Sequence, residues 1–123
     1  MAGLFDGEGC IHLSPRNGYA LTVSIGQKTH TGLCQAIAHE YQGRLHPQKG
    51  GMSTWHANGV FGVAFLEAVL PHLIVKRGQA ALAIEHGRLP WRRHQNGGAK
   101  VVRTPDQIAV DRDYARRIKD LKL

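Results

Sequence analysis

The chain has little to cross-link it: two cysteines, Cys10 and Cys34, in 123 residues. Two thiols make neither a disulfide framework nor a thiolate metal site, so a reducing, intracellular setting is expected. Long apolar runs are missing too. No stretch reaches the roughly 20 residues that span a bilayer, and no charged leader precedes an apolar segment at the N-terminus, so no membrane partner is expected. Aromatic residues make up only 7%, and nine acidic side chains stand against sixteen lysines and arginines. What remains is an ordinary 42% hydrophobic content. That suffices for one domain with a real core, and the chain is too short for two such domains.

The formal charge of +7 is unevenly spread. Residues 1–75 hold four basic and four acidic side chains, whereas residues 76–123 hold twelve and five. A basic excess of this kind suits a polyanion, most commonly nucleic acid, against the plainer alternative of a solvated surface. Eight histidines are scattered along the chain, with no Cys-x-x-Cys and no His-Glu-x-x-His, so a zinc site is not indicated.

Polar and apolar residues alternate from Cys10 to Arg16 and again from Tyr19 to Ile25, with Asn17-Gly18 between them. This predicts a hairpin with one wet face, carrying His12, Ser14 and Arg16 on one strand and Ala20, Thr22 and Ser24 on the other. A helix is predicted from Thr31 to Gln42 on the stripe Leu33, Ile37, Tyr41, ending at Gly43. A shorter hairpin follows, Arg44 to His46 and Ser53 to Ala57, broken at Pro47 to Gly51, with Leu45 and Trp55 inward. The next helix, Gly59 to Leu70, is nearly all apolar and is expected to be largely buried. Pro71 is expected to start another helix running to His86. Thr104-Pro105-Asp106-Gln107 has the pattern of a capping box opening a last helix, with Ile108, Tyr114, Ile118 and Leu121 as its apolar stripe. The expected division is a core over 1–88 and a basic linker and C-terminal helix over 89–123.

The most informative residues are the first nine. Met1-Ala2-Gly3-Leu4-Phe5-Asp6-Gly7-Glu8-Gly9 reads as a helix running straight into a strand. Gly3 and Gly7 stand four apart on one face, with Ala2 beside them, so a second helix can approach backbone to backbone. Glycine within a helix costs roughly 1 kcal/mol relative to alanine, which close packing would offset. Glu8 falls at the helix C-terminus, where the dipole disfavours a carboxylate and a bound cation would reverse the sign.

This stretch resembles the motif of the LAGLIDADG homing endonucleases: Ala2, Gly3, Leu4, Asp6 and Gly9 match it identically, and Met1, Phe5, Gly7 and Glu8 replace Leu, Ile, Ala and Asp. The resemblance covers roughly Met1 to His86. Because the motif starts at Met1, no residue precedes the helix to cap it, which suggests a start further upstream. The resemblance implies an α+β fold with the αββαββα order, a saddle-shaped antiparallel sheet and helices on its other face. One motif copy implies a homodimer through Ala2, Gly3, Asp6 and Gly7, and hence a palindromic or nearly palindromic double-stranded DNA target.

The implied activity is magnesium-dependent cleavage of both DNA strands, with Glu8 as metal ligand. Most family members carry Asp at that place. Gln27 corresponds to the polar residue that orients the attacking water, and Lys76, in a proline-to-lysine segment, to the lysine that reaches the active site. Where some members have a further basic residue, this chain has Thr31. Lys28 suits a backbone phosphate. Strand side chains in a major groove present alternate residues to base edges, which nominates His12, Ser14, Arg16, Thr22, Ser24, Arg44, His46 and Gln48. Arg92, Arg93, Lys100, Arg103, Arg116 and Arg117 are expected to touch phosphates. The other reading is a non-cleaving relative, an intron RNA maturase or a DNA-binding regulator.

Overall fold

A computed structural model describes residues 2–28, 32–92 and 103–122; Thr31, Arg93 and Lys100 lie outside them. Helix α1 (Ala2–Glu8) passes directly into β1 (Gly9–Ser14). Then come β2 (Ala20–Lys28), α2 (Leu33–Tyr41), β3 (Arg44–Gln48), β4 (Met52–Asn58), α3 (Gly59–Val69), α4 (Arg77–Gly87) and α5 (Pro105–Asp120). The strands form one antiparallel sheet in the order β1-β2-β4-β3. The expected αββαββα order is therefore present, followed by two further helices.

The period-two pattern decides which face is which. The odd-numbered residues of β1, β2 and β4 are buried apart from Gly9 and Gln27 at the strand ends: Ile11, Leu13, Leu21, Val23, Ile25, Ser53, Trp55 and Ala57. Helices α1, α2 and α3 cover that face. They contribute Phe5, then Cys34 and Ile37, then Gly62, Phe65, Leu66 and Val69. Phe65 is the centre of this layer, its ring 5.2 Å from Phe5, 5.0 Å from Tyr41 and 4.9 Å from Trp55 between centroids. Edge and tilted aromatic pairs of this kind add about 0.5–1.5 kcal/mol each beyond area burial. A side chain at Gly62 would meet the Ala57 carbonyl oxygen at 3.1 Å, so α3 sits on the sheet at backbone distance. Strand β3 is exposed along its length, an edge position where Pro47 costs no ladder bond that a central strand would need.

Three expectations are corrected. Helix α3 buries one stripe and leaves Val60 and Phe61 exposed, because a helix lying on a sheet presents only one side to it. Pro71 does not start a helix: it lies in a 3-10 turn, Leu70–His72, and α4 begins only at Arg77. The first hairpin turns through a 3-10 segment, Pro15–Asn17, with Gly18 and Tyr19 at positive φ, so Arg16 sits at the ribbon's tip and not on its strand. Leu45 is on the inward face, paired with buried Trp55, yet on the edge strand it stays 37% exposed. The predicted capping box at Thr104 and Gln107 is present, with both reciprocal bonds made. Of the predicted α5 stripe, Tyr114 and Ile118 are buried while Ile108 and Leu121 are exposed.

Candidate nucleic-acid interface and catalytic edge

The C-terminal end of α1 is tied to the start of α4 by Asp6. Its carboxylate accepts the backbone N–H groups of Ile74 at 2.7 Å, Val75 at 3.1 Å and Lys76 at 2.8 Å. Burial pushes the Asp6 carboxyl up, but these three bonds and the Lys76 charge outweigh it and hold the group below the ordinary carboxylate range. The carboxylate thus gathers the three N–H groups just ahead of α4, over the non-helical stretch from Leu73 to Lys76. The Asp6 side chain is thereby engaged inside its own chain.

Lys76 returns the contact, its ammonium donating to the Asp6 carbonyl oxygen at 2.5 Å. A cation at the negative end of a helix is the favoured placement. Glu8 is the last residue of α1 and is exposed. Gln27 comes to the same end by strand register. Gly9, the first residue of β1, pairs with Ile25, so Gln27 lies two residues beyond that pair, past the α1–β1 junction. Lys76 is thus bonded to the helix that Glu8 ends, and Gln27 follows the strand pair that begins at the α1–β1 junction. Lys76 makes its bond as the N-cap of α4 and not from a helix face.

On the sheet face turned away from the helices, the pairing lines residues up across strands. One row runs Cys10, Ser24, His56, Arg44; a second His12, Thr22, Asn58; a third Gly26, Thr54, His46; a fourth Lys28, Met52, Gln48. Every nominated base-reading residue except Arg16 is on this face, with Ser14 paired to Ala20. Thr54, His56 and Asn58 on β4 belong to it as well. Their signal in the sequence is the alternation with Trp55 and Ala57. No aspartate or glutamate occurs in the four strands. The rings of His46 and His56 stack at 4.6 Å, 15° from parallel. Burial, then His46, then Arg44 lower the His56 pKa below its ordinary value.

Two of the expected phosphate-contacting arginines have another task. Arg92 pairs with the buried Asp111 at 2.8 Å, and Arg103 lies 3.7 Å from the same carboxylate. Both donate to the Gly18 carbonyl oxygen at the tip of the first hairpin, at 2.5 and 2.6 Å. His86 Nε2 and Trp91 Nε1 complete the set around Asp111 at 2.8 and 3.1 Å. Arg92 and Arg103 are structural, pinning α5 to the ribbon. Arg116 pairs with Asp113 and Asp120 along its own helix, and Arg117 lies over the Tyr114 ring.

No protein-family model matches the sequence, and no curated protein does. Solved structures do. The homing endonuclease I-CvuI, in complex with its target in the presence of 2 mM Ca, superposes with a TM-score of 0.76 at 22% identity, over 98% of this chain and 78% of that one. The archaeal intron-encoded homing endonuclease I-Vdi141I complexed with DNA gives 0.59 at 15% identity, over 98% and 93%. The LAGLIDADG meganuclease I-AabMI bound to uncleaved DNA gives 0.57 at 18% identity, over 72% of this chain and 35% of that one.

Proposed function

We propose that this chain, which has the LAGLIDADG homing-endonuclease fold, is a homodimeric, magnesium-dependent endonuclease that cuts both strands of a palindromic or nearly palindromic DNA site. What supports the reading is Glu8 at the end of α1, Lys76 bonded to that helix at Asp6, and Gln27 two residues beyond the Gly9–Ile25 pair, beside a strand face that is polar, basic and without carboxylates.

Among the described residues, no three or more His, Cys, Asp or Glu side chains cluster as a metal site. Glu8 offers one carboxylate per chain, beside the carbonyl end of α1. Such a sparse oxygen set suits magnesium, which keeps most of its ligands as water and phosphate oxygen. When bound, the ion supplies Lewis-acid polarisation of the scissile phosphate. The chain's own residues do the rest. The Gln27 amide orients the attacking water, and the Lys76 ammonium offsets charge developing on the phosphate. His12, Ser14, Thr22, Ser24, Lys28, Arg44, His46 and Gln48, with Arg16 at the tip, line the DNA-facing surface.

The dimer reading is supported by open space. A side chain at Gly3 or Gly7 would meet no atom within 4 Å, so this helix face is bare in the single chain. Ile74 and Val75, held to α1 through Asp6, are 85% and 74% exposed and extend an apolar surface beside it. A second copy packed there sets a second Glu8 near the first, each serving its own scissile phosphate across the minor groove.

The test is incubation with a randomised palindromic DNA library, in Mg²⁺ or in EDTA, followed by sequencing of the cut ends. The expected result is one family of cut sequences, produced with Mg²⁺ alone. Binding to group I intron RNA with no DNA cleavage would overturn the nuclease reading in favour of a maturase.

A further inference from the structure

We propose that the His46–His56 stack takes up a proton when the sheet face receives its polyanion, so that DNA binding by this chain tightens as pH falls from about 8 to about 6. The inference rests on the DNA-binding reading above and adds a proton to it.

Geometry carries the argument. The two imidazoles are parallel and 4.6 Å apart on adjacent strands, on the outward face. Arg44 pairs directly across from His56, and Ser24 flanks it on β2; Thr54 pairs across from His46. Among the described strand residues, the other charged or titratable groups on this face are Cys10 and His12 on β1 and Lys28 on β2, with the Lys122 ammonium 3.9 Å from the Cys10 sulfur. None of the four strands carries a carboxylate to neutralise a protonated ring. In the uncomplexed protein, therefore, partial burial, the neighbouring ring and the Arg44 guanidinium all oppose a proton on His56. The lowered pKa of His56 agrees with this placement.

A phosphate backbone laid over the face inverts that balance. Its negative charge offsets Arg44 and favours the imidazolium, and a charged ring donates a stronger hydrogen bond to a phosphate or base acceptor. Proximity of the two rings limits uptake to about one proton, since two like charges at stacking distance repel. By linkage, one proton bound with the ligand makes affinity change by at most about tenfold per pH unit.

The test uses the full chain and a random-sequence DNA duplex pool, at fixed ionic strength with EDTA to prevent cutting. Affinity is expected to rise about tenfold or more between pH 8 and pH 6. The double variant His46→Gln/His56→Gln, which keeps hydrogen-bonding amides but cannot charge, is expected to lose most of that slope, whatever its absolute affinity. Each single variant is expected to flatten it in part. Calorimetry near pH 7 in two buffers of different ionisation heat counts the protons, about one for the wild type and close to none for the double variant. A full slope persisting in the double variant, carried for instance by His12, would overturn the proposal while leaving DNA binding intact. Failure of the wild type to bind at any pH would remove the DNA reading, and this proposal with it.

Discussion

The Asp6 carboxylate accepts the Lys76 amide at 2.8 Å, and the Lys76 ammonium donates back to the Asp6 carbonyl oxygen at 2.5 Å. This reciprocal pair locks the carboxylate-bearing end of α1 to the residue expected to face the phosphate. Asp6→Ala is predicted to leave three N–H groups without their acceptor and to cost about 1.5–3 kcal/mol, the scale of a hydrogen bond to a charged group. Thermal unfolding measures that loss. Cleavage is expected to fall well beyond it, because Lys76 is no longer held, while DNA affinity changes little. Equal losses of binding and cleavage would contradict a positioning role.

Gly3 and Gly7 separate folding from assembly. Since open space lies over both in the single chain, Gly7→Leu is predicted to leave the monomer folded and to raise its helical stability by up to about 1 kcal/mol. The same change should prevent two helices from approaching closely. Sedimentation equilibrium is expected to report a dimer for the wild type and a monomer for the variant.

The Asp111 cluster predicts a larger cost. Asp111→Ala leaves the Arg92 guanidinium buried and Arg103 nearly so, without their shared carboxylate. Removing one partner of a buried ion pair typically costs about 3–5 kcal/mol. Chemical denaturation is expected to find a loss of that size, with the first hairpin losing hydrogen-exchange protection near Gly18.

His86 makes the fold sensitive to acid. Burial, with the Arg92 charge, lowers its pKa to about 4 despite the bond to Asp111. The folded chain holds it neutral while the unfolded chain takes a proton near the ordinary value of about 6.5. Its contribution is thus complete above about 6.5 and disappears as pH falls from there to about 4, a loss of roughly 3 kcal/mol. The His86 ring resonances are expected to stay unshifted down to about pH 5. Titration near the ordinary histidine value would contradict this.

Much of the fold was legible because strong local signals agreed with the tertiary arrangement. Alternation from Cys10 to Ile25 gave the correct wet and dry faces, and Thr104 to Gln107 gave a true cap. The misreadings came where distant residues intervene. Pro71 lies in a turn, and the Asp6 carboxylate, 70 positions before Lys76, collects the N–H groups that a helix would have used. Arg92 and Arg103 looked like a basic surface because sequence charge carries no information about a buried Asp111. For the proposed catalytic residues, Glu8, Gln27 and Lys76, the signal in the sequence is the motif resemblance. Neither Asp6's reciprocal lock nor the stack between His46 and His56 could be read before the strands were paired.

The most direct test is the Glu8→Gln variant on a DNA site selected by the wild type, with Mg²⁺ present and binding and cutting measured side by side. The neutral amide keeps the size of the side chain and removes the charge that would hold the cation. Binding within a few-fold of wild type with cleavage reduced by about a hundredfold or more is the predicted outcome. Cleavage at the wild-type rate would contradict the account.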